Sequence, residues 1–189
     1  LASWIGGDRD GNPYVTSQVT AETLRLHRGQ AVENHRRMFQ DLGRRLSVSS
    51  NRIAPPPALL EWIDKRRPFP AHVAYIEQRY ATEPYRLVLA LLANELAEAS
   101  RDDMKAHLLG QYPHQARMNE KHLLEPLELI ASALPPMLLQ DELQTALQKV
   151  RVFGLHAARL DSREDSSRLN SALSEILRAL NIESDFENL

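Results

Sequence analysis

Asp8, Arg9 and Asp10 stand side by side near the start of the chain, between the glycine pair Gly6-Gly7 and the turn Gly11-Asn12-Pro13, with Trp4 just ahead of them. Two carboxylates and a guanidinium in so short a segment could bind a cation, cradle an anion or close on each other. The cation reading fails on spacing. Asp8, Asp10 and Asn12 alternate like the ligands of a calcium loop, but that loop wants glycine at its sixth position and glutamate at its twelfth. Pro13 and Val19 occupy those places. The phosphate reading fails too, because a glycine-rich phosphate loop opens a helix after a strand and carries a lysine. What the residues alone leave is a tight turn, favoured by its Asp-Gly and Asn-Pro dipeptides and braced by an ion pair between Arg9 and a neighbouring aspartate.

Other chemistries are narrowed by composition. His27, His35, His72, His107, His114, His122 and His156 form no H-x-x-x-H or H-E-x-x-H pair, so no zinc site is expected. The absence of cysteine removes disulfides, thiol nucleophiles and thiolate metal sites. With 23 basic and 25 acidic residues, net charge -2, the chain lacks the basic field a nucleic-acid partner needs. No apolar run approaches the roughly 18 residues of a membrane span, and no signal-peptide pattern opens the chain. The expected setting is cytoplasmic, with neither membrane nor nucleic acid as a partner.

The elements that must position the loop read as helices. Three of the seven glycines, Gly6, Gly7 and Gly11, fall in the opening segment. The rest is rich in the helix formers Leu, Ala, Glu, Gln and Arg. A mainly α fold with at most one or two short strands follows. Thr16, Ser17 and Thr20 each offer an N-cap for a helix to about Leu46. Its apolar stripe is Leu24, Ala31, His35, Phe39, Leu42 and Leu46, with Arg25, Arg28, Glu33, Arg36, Arg37 and Arg44 mostly on other faces. Pro57 starts a short helix through Trp62, Ala71 to Tyr80 forms another, and Glu83 to about Leu109 a long one opened by Pro84. Gly110 to Asn119 reads as an exposed loop. Pro126 reads as the start of the next helix, which stops at Pro135-Pro136, and Asp141 caps one that Gly154 ends. Leu155 to Ser162 reads as a short strand, and Ser166 caps a last helix to Leu180 with a stripe of Leu169, Leu173, Ile176, Leu177 and Leu180. A single strand cannot satisfy its own ladder, so its partners are expected outside the chain. The chain is expected to be a piece of a larger protein.

Longer motifs give the loop a family context. Ser3-Trp4-Ile5-Gly6-Gly7-Asp8-Arg9-Asp10-Gly11-Asn12-Pro13, followed by Val15-Thr16 and Val19-Thr20, resembles the S-W-M-G-G-D-R-D-G-N-P-x-V-T signature of phosphoenolpyruvate carboxylases. Leu42-Gly43-Arg44-Arg45-Leu46-Ser47 resembles that family's E-L-x-x-E-L-S, and Glu83-Pro84-Tyr85-Arg86 its E-P-Y-R. Val150 to Leu155 and then Arg159-Leu160-Asp161-Ser162-Arg163 resemble V-x-x-F-G-x and R-L-D-I-R-Q-E-S. The resemblance spans essentially the whole chain, in the family's order.

The resemblance implies an internal helical fragment of an α/β-barrel lyase, bacterial in type, that carboxylates phosphoenolpyruvate with bicarbonate to oxaloacetate and phosphate. It further implies a homotetrameric, allosterically regulated parent using Mg2+ or Mn2+. Residues 1–16 then become an active-site loop, 17–154 a helical region, 155–163 a barrel strand and 166–181 the helix after it. Arg163 matches a substrate-binding arginine, suited to phosphate or carboxylate by its bidentate fork; its alternative is an ion pair with Asp161, Glu164 or Asp165. Trp4 matches a tryptophan lining a hydrophobic pocket for the carbon dioxide intermediate; its alternative is core packing. Gly6, Gly7, Asp8, Arg9, Asp10, Gly11 and Asn12 would shape the active-site floor, and Arg86 matches an arginine of a sugar-phosphate effector site. The family's T-A-H-P-T-E histidine, G-R-G-G-S loop, essential lysine and metal ligands do not occur in this sequence. No catalytic or metal residue is therefore expected here, and the chain alone is expected to be inactive. Ser162, Glu164 and Leu169 depart from the pattern, and Glu164 places an anion beside the proposed substrate arginine. A non-catalytic scaffold or regulatory paralogue of the same family is the alternative.

Overall fold

Thr16 ends the opening segment and starts the first helix: its extended backbone lets the side-chain oxygen accept from Val19 N–H, 3.3 Å away. In the computed structural model, which describes residues 2–10, 12–100, 118–138 and 140–181, this helix α1 runs Ser17–Arg45. After it come α2 (Pro57–Asp64), α3 (Ala71–Arg79), α4 (Pro84–Ala99), α5 (Glu120–Ala133), α6 (Gln140–Phe153) and α7 (Ser166–Ala179). Two short strands, β1 (Ala2–Ser3) and β2 (Arg159–Leu160), complete a mainly α architecture. Gly11, residues 101–109 of the expected long helix and residues 110–117 of the expected loop, with His107 and His114, lie outside the described residues.

The body forms around α1 and α4, the most extensively packed pair. Pro84 sits at the first turn of α4, where its missing N–H has no partner to lose. Phe39 and Leu42 of α1 pack with Val88, Leu89, Leu92 and Leu96 of α4 in one buried cluster. Helix α3 flanks α4, and the α5–α6 pair closes the other side against α1, α2 and α4. Of the apolar stripe read for α1, Ala31, His35, Phe39, Leu42 and Leu46 are buried and Leu24 is half-buried.

Besides α6, where Asp141 lies inside the first turn and is not the cap, three boundaries differ from the sequence reading. Helix α5 starts at Glu120 and carries Pro126 inside it. The Asn119 side chain accepts from His122 N–H while the His122 ring accepts from Asn119 N–H, a reciprocal cap that starts the helix earlier than proline would. The burial of Leu123, Leu127 and Ile130 then holds the turn in which Pro126 donates no bond. At α7 the cap is Asp165, one residue before Ser166, accepting from Ser167 N–H at 2.7 Å.

The third difference concerns the strand. Leu155 to Ala158 is a turn, with Ala157 at φ 58°, and only Arg159–Leu160 is extended. Phe153 C=O accepts from both His156 and Ala157 N–H, so the chain coils on past α6 before it straightens. The expected external partner is also corrected: β2 pairs in parallel with β1 of the same chain, Ala2 opposite Arg159 and Ser3 opposite Leu160. This pairing brings the two sequence termini of the motif set together.

Candidate active site

The opening loop lies along β2 and the residues after it. Asp161 N–H donates to Ser3 C=O at 2.8 Å, Arg163 N–H to Gly7 C=O at 2.9 Å, and Arg9 N–H to Arg163 C=O at 2.9 Å. Asp8 and Arg163 thereby form a further parallel bridge. Between the two contacts the loop turns back on itself, with Gly7 and Asp8 N–H both reaching Trp4 C=O. The turn requires its glycines. Gly6 has φ +76°, and a Cβ there would land on the Thr23 side chain. A Cβ on Gly7 would lie 2.5 Å from the Asp161 carbonyl oxygen, inside the backbone of the strand it docks on.

Helix α1 pins the loop from the other side. Thr20 Oγ1 donates to Gly6 C=O at 2.7 Å and accepts from Arg9 Nη2 at 2.8 Å. Arg9 Nη1 lies 3.5 Å from Glu164 Oε2. The expected Arg9–aspartate pair is therefore replaced by a pair across the fold. Asp8 and Asp10 make no side-chain hydrogen bond or ion pair among the described residues. Asn12 Oδ1 accepts from Tyr14 N–H at 3.0 Å, an Asx turn that shapes the exit to α1.

Trp4 and Arg163 meet on this platform. The Arg163 guanidinium carbon lies 4.1 Å from the centroid of the Trp4 ring, a cation–π contact. The indole N–H donates to Asp161 Oδ2 at 2.6 Å. Core packing does not describe this tryptophan, which is 52% exposed, with Ile5 beside it 76% exposed.

The three carboxylates that could have quenched Arg163 are engaged elsewhere. Asp161 accepts the hydrogen bond from the indole N–H. Glu164 lies between Arg9 and Arg168, each 3.5 Å away. Asp165 caps α7 through Ser167, whose hydrogen bonds hold its carboxyl below the usual aspartate range. Among the described residues Arg163 makes no side-chain hydrogen bond or ion pair, so all its N–H donors remain open. A charged fork with one face on an indole and its edges free suits a planar carboxylate or a phosphate.

Arg86 belongs to a different place. It lies on α4 in a cleft of about 800 Å³ between α1, α3 and α4, lined also by Arg36, Arg44, His72 and Tyr80. Its guanidinium covers the Tyr80 ring at 4.1 Å, while Nε donates to Gly43 C=O at 3.0 Å and lies 3.1 Å from Glu83. None of the loop or β2 residues lines that cleft.

No group of three or more His, Asp or Glu among the described residues is arranged to hold a metal ion. Two roles are not legible in the sequence: Asp161 reads as a motif residue and a possible ion-pair partner of Arg163, and Thr20 as a motif residue and a possible cap, whereas the structure gives Asp161 the indole N–H and Thr20 the link between Gly6 and Arg9. Their roles depend on partners at the far end of the chain or across the loop, which no local pattern displays.

The comparisons with known proteins agree with the motif order. The family model described as Phosphoenolpyruvate carboxylase matches residues 1–189. The chain is 36% identical over 182 residues to a phosphoenolpyruvate carboxylase of Pseudomonas fluorescens Pf-5, covering 93% of the chain and 18% of that protein. It is 33% identical to phosphoenolpyruvate carboxylases of Synechococcus sp. WH7803 and Enterobacter sp. 638, in each case over 100% of the chain and 21% and 20% of the relative. The chain thus spans about a fifth of the length of these relatives.

Proposed function

The chain belongs to the phosphoenolpyruvate carboxylase family, and from that premise we propose that it forms one wall of the active site of a full-length phosphoenolpyruvate carboxylase. In this reading the parent adds bicarbonate to phosphoenolpyruvate, releasing oxaloacetate and phosphate. The observation that carries it is the open Arg163 guanidinium lying on the exposed Trp4 ring, with Asp161, Glu164 and Asp165, the carboxylates that flank it in sequence, engaged elsewhere. Both substrates are anions, and charge develops on the enolate as the phosphoryl group leaves, so a fixed unquenched cation stabilises the reacting state.

Arg163 binds phosphoenolpyruvate through its free edges and Trp4 offers a dry wall to the carbon dioxide formed on the way. Such a wall limits diversion of that species by water. Gly6 and Gly7 give the loop its shape, Arg9 ties it to Glu164, and Asp8, Asp10, Gly11 and Asn12 complete the floor. The divalent metal, Mg2+ or Mn2+, would polarise substrate oxygens; its ligands, like the catalytic histidine and lysine, are assigned to other parts of the parent. The segment from Arg159 to Arg163 would lie on a barrel strand, with residues 166–181 as the helix that follows. Arg86, whose terminal nitrogens make no hydrogen bond among the described residues, would contact an anionic effector. A cytoplasmic homotetramer completes the reading; no described helix is long and apolar enough to cross a membrane.

The test is carboxylation by the intact protein, followed as phosphoenolpyruvate-dependent oxaloacetate formation, before and after Arg163→Ala. We expect activity that falls at least a hundredfold in kcat/KM in the variant, about 3 kcal/mol of lost transition-state binding. Near-normal turnover would remove Arg163 from the substrate site, and no turnover in the native protein would favour a non-catalytic paralogue.

A further inference from the structure

Asp161 and Arg163, two residues apart in the segment that follows β2, both meet the same Trp4 ring. Their default arrangement is a direct ion pair, and such a pair would consume the donors a substrate needs. The chain avoids it by interposing Trp4: the carboxylate takes the indole N–H at 2.6 Å and the guanidinium lies 4.1 Å from the ring centroid. The indole has little packing to fix its plane, being 52% exposed. Its position comes from the hydrogen bond, and the acceptor is itself anchored, because Asp161 N–H is bonded to Ser3 C=O one residue before Trp4.

We propose that Asp161 is a positioning residue of the active site, its carboxylate orienting the Trp4 ring so that the ring holds Arg163 open toward substrate and away from ion pairing. This rests on the substrate-binding reading of Arg163 given above. The role requires an acceptor, not a charge. Asn retains a carbonyl oxygen for the indole N–H, whereas Ala leaves the ring unanchored. The loss falls on phosphoenolpyruvate binding, since the affected group is Arg163. Removal of the indole N–H by Trp4→Phe has the opposite logic: it releases the Asp161 carboxylate to pair with Arg163, so that Asp161 becomes inhibitory.

The experiment uses the intact protein, labelled with 5-fluorotryptophan, with the Trp4 fluorine signal assigned from Trp4→Phe. Asp161→Ala should move that signal and raise KM for phosphoenolpyruvate about tenfold, the scale of one charge-assisted hydrogen bond, with kcat changed less. Asp161→Asn should leave the signal near its native position and recover most of the KM. In the Trp4→Phe background, Asp161→Ala should cause no loss or a gain. An unmoved signal in Asp161→Ala, an Asp161→Asn as impaired as Asp161→Ala, or the same loss in the Trp4→Phe background would each overturn the proposal. A native protein that carboxylates nothing would instead refute the activity assigned above, and the fluorine signals would still decide whether Asp161 holds the ring.

Discussion

Arg9 reaches Glu164 across the fold, Nη1 to Oε2 at 3.5 Å, and so joins the opening loop to the residue that follows Arg163. Arg168 approaches the same carboxylate at 3.5 Å, so the anion that departs from the family pattern has two cations of its own. Long, partly exposed ion pairs contribute only about 0–1 kcal/mol each. Glu164→Gln, which removes both pairs, should therefore lower unfolding free energy by less than about 2 kcal/mol and change KM for phosphoenolpyruvate less than about fivefold. Denaturant unfolding and steady-state kinetics measure both. A tenfold or larger fall in KM would show that Glu164 acts directly on Arg163.

The two glycines of the turn should respond differently to alanine. At Gly6 the substitution meets a left-handed backbone, which costs about 1–2 kcal/mol, together with the Thr23 side chain. Thr23→Ala should relieve part of the damage and leave the backbone part. At Gly7 the obstacle is the Asp161 carbonyl, and trimming a side chain cannot move it. Gly7→Ala should undock the loop, seen as a change in Trp4 emission and a lower thermal midpoint that Thr23→Ala does not restore.

His35 predicts an acid sensitivity unrelated to the active site. It is 3% exposed, stacks on Phe39, and its Nε2 lies 2.7 Å from Gly154 C=O, which assigns the proton to Nε2 of a neutral ring. Burial lowers its pKa from the ordinary 6.5, the Gly154 bond opposes that shift, and Lys149 adds to it. The unfolded chain then binds more protons than the folded one below pH 6.5. The stability due to the neutral ring is complete above that pH and declines as pH falls through the lowered folded value. Stability measured between pH 7 and pH 5 should fall less steeply in His35→Gln than in the native chain. Equal slopes would remove His35 as the cause.

Helix α7 carries Leu169, Leu173 and Ile176 at helical spacing, with Leu180 at its C-cap, and no residue of the helix is buried. If the rest of the parent covers this stripe, Ile176→Asp should destabilise the intact protein by about 2 kcal/mol or more, the scale of burying one such side chain. In the 189-residue chain the same change should be worth less than about 0.5 kcal/mol. Equal small effects in both would show that the stripe stays exposed.

The sequence by itself determined the helical class, most of the stripe of α1 that becomes core, and the loop's composition, because periodicity and propensity act within a few turns. It also determined the family, since the loop, E-P-Y-R and R-L-D-S-R recur in order. The ends of α5, β2 and α7 were less legible. A cap such as Asn119 with His122 competes with proline for the start of a helix, and the sequence does not weigh the burial that decides it. Only the tertiary structure decided what the charged residues do. Arg9 chose Glu164 over the adjacent aspartates, and Arg163 chose the Trp4 ring over three adjacent carboxylates. The physical reason is that an ion pair's partner is fixed by distance in space. The parallel register of β1 on β2 sets those distances, and it joins residues from opposite ends of the chain.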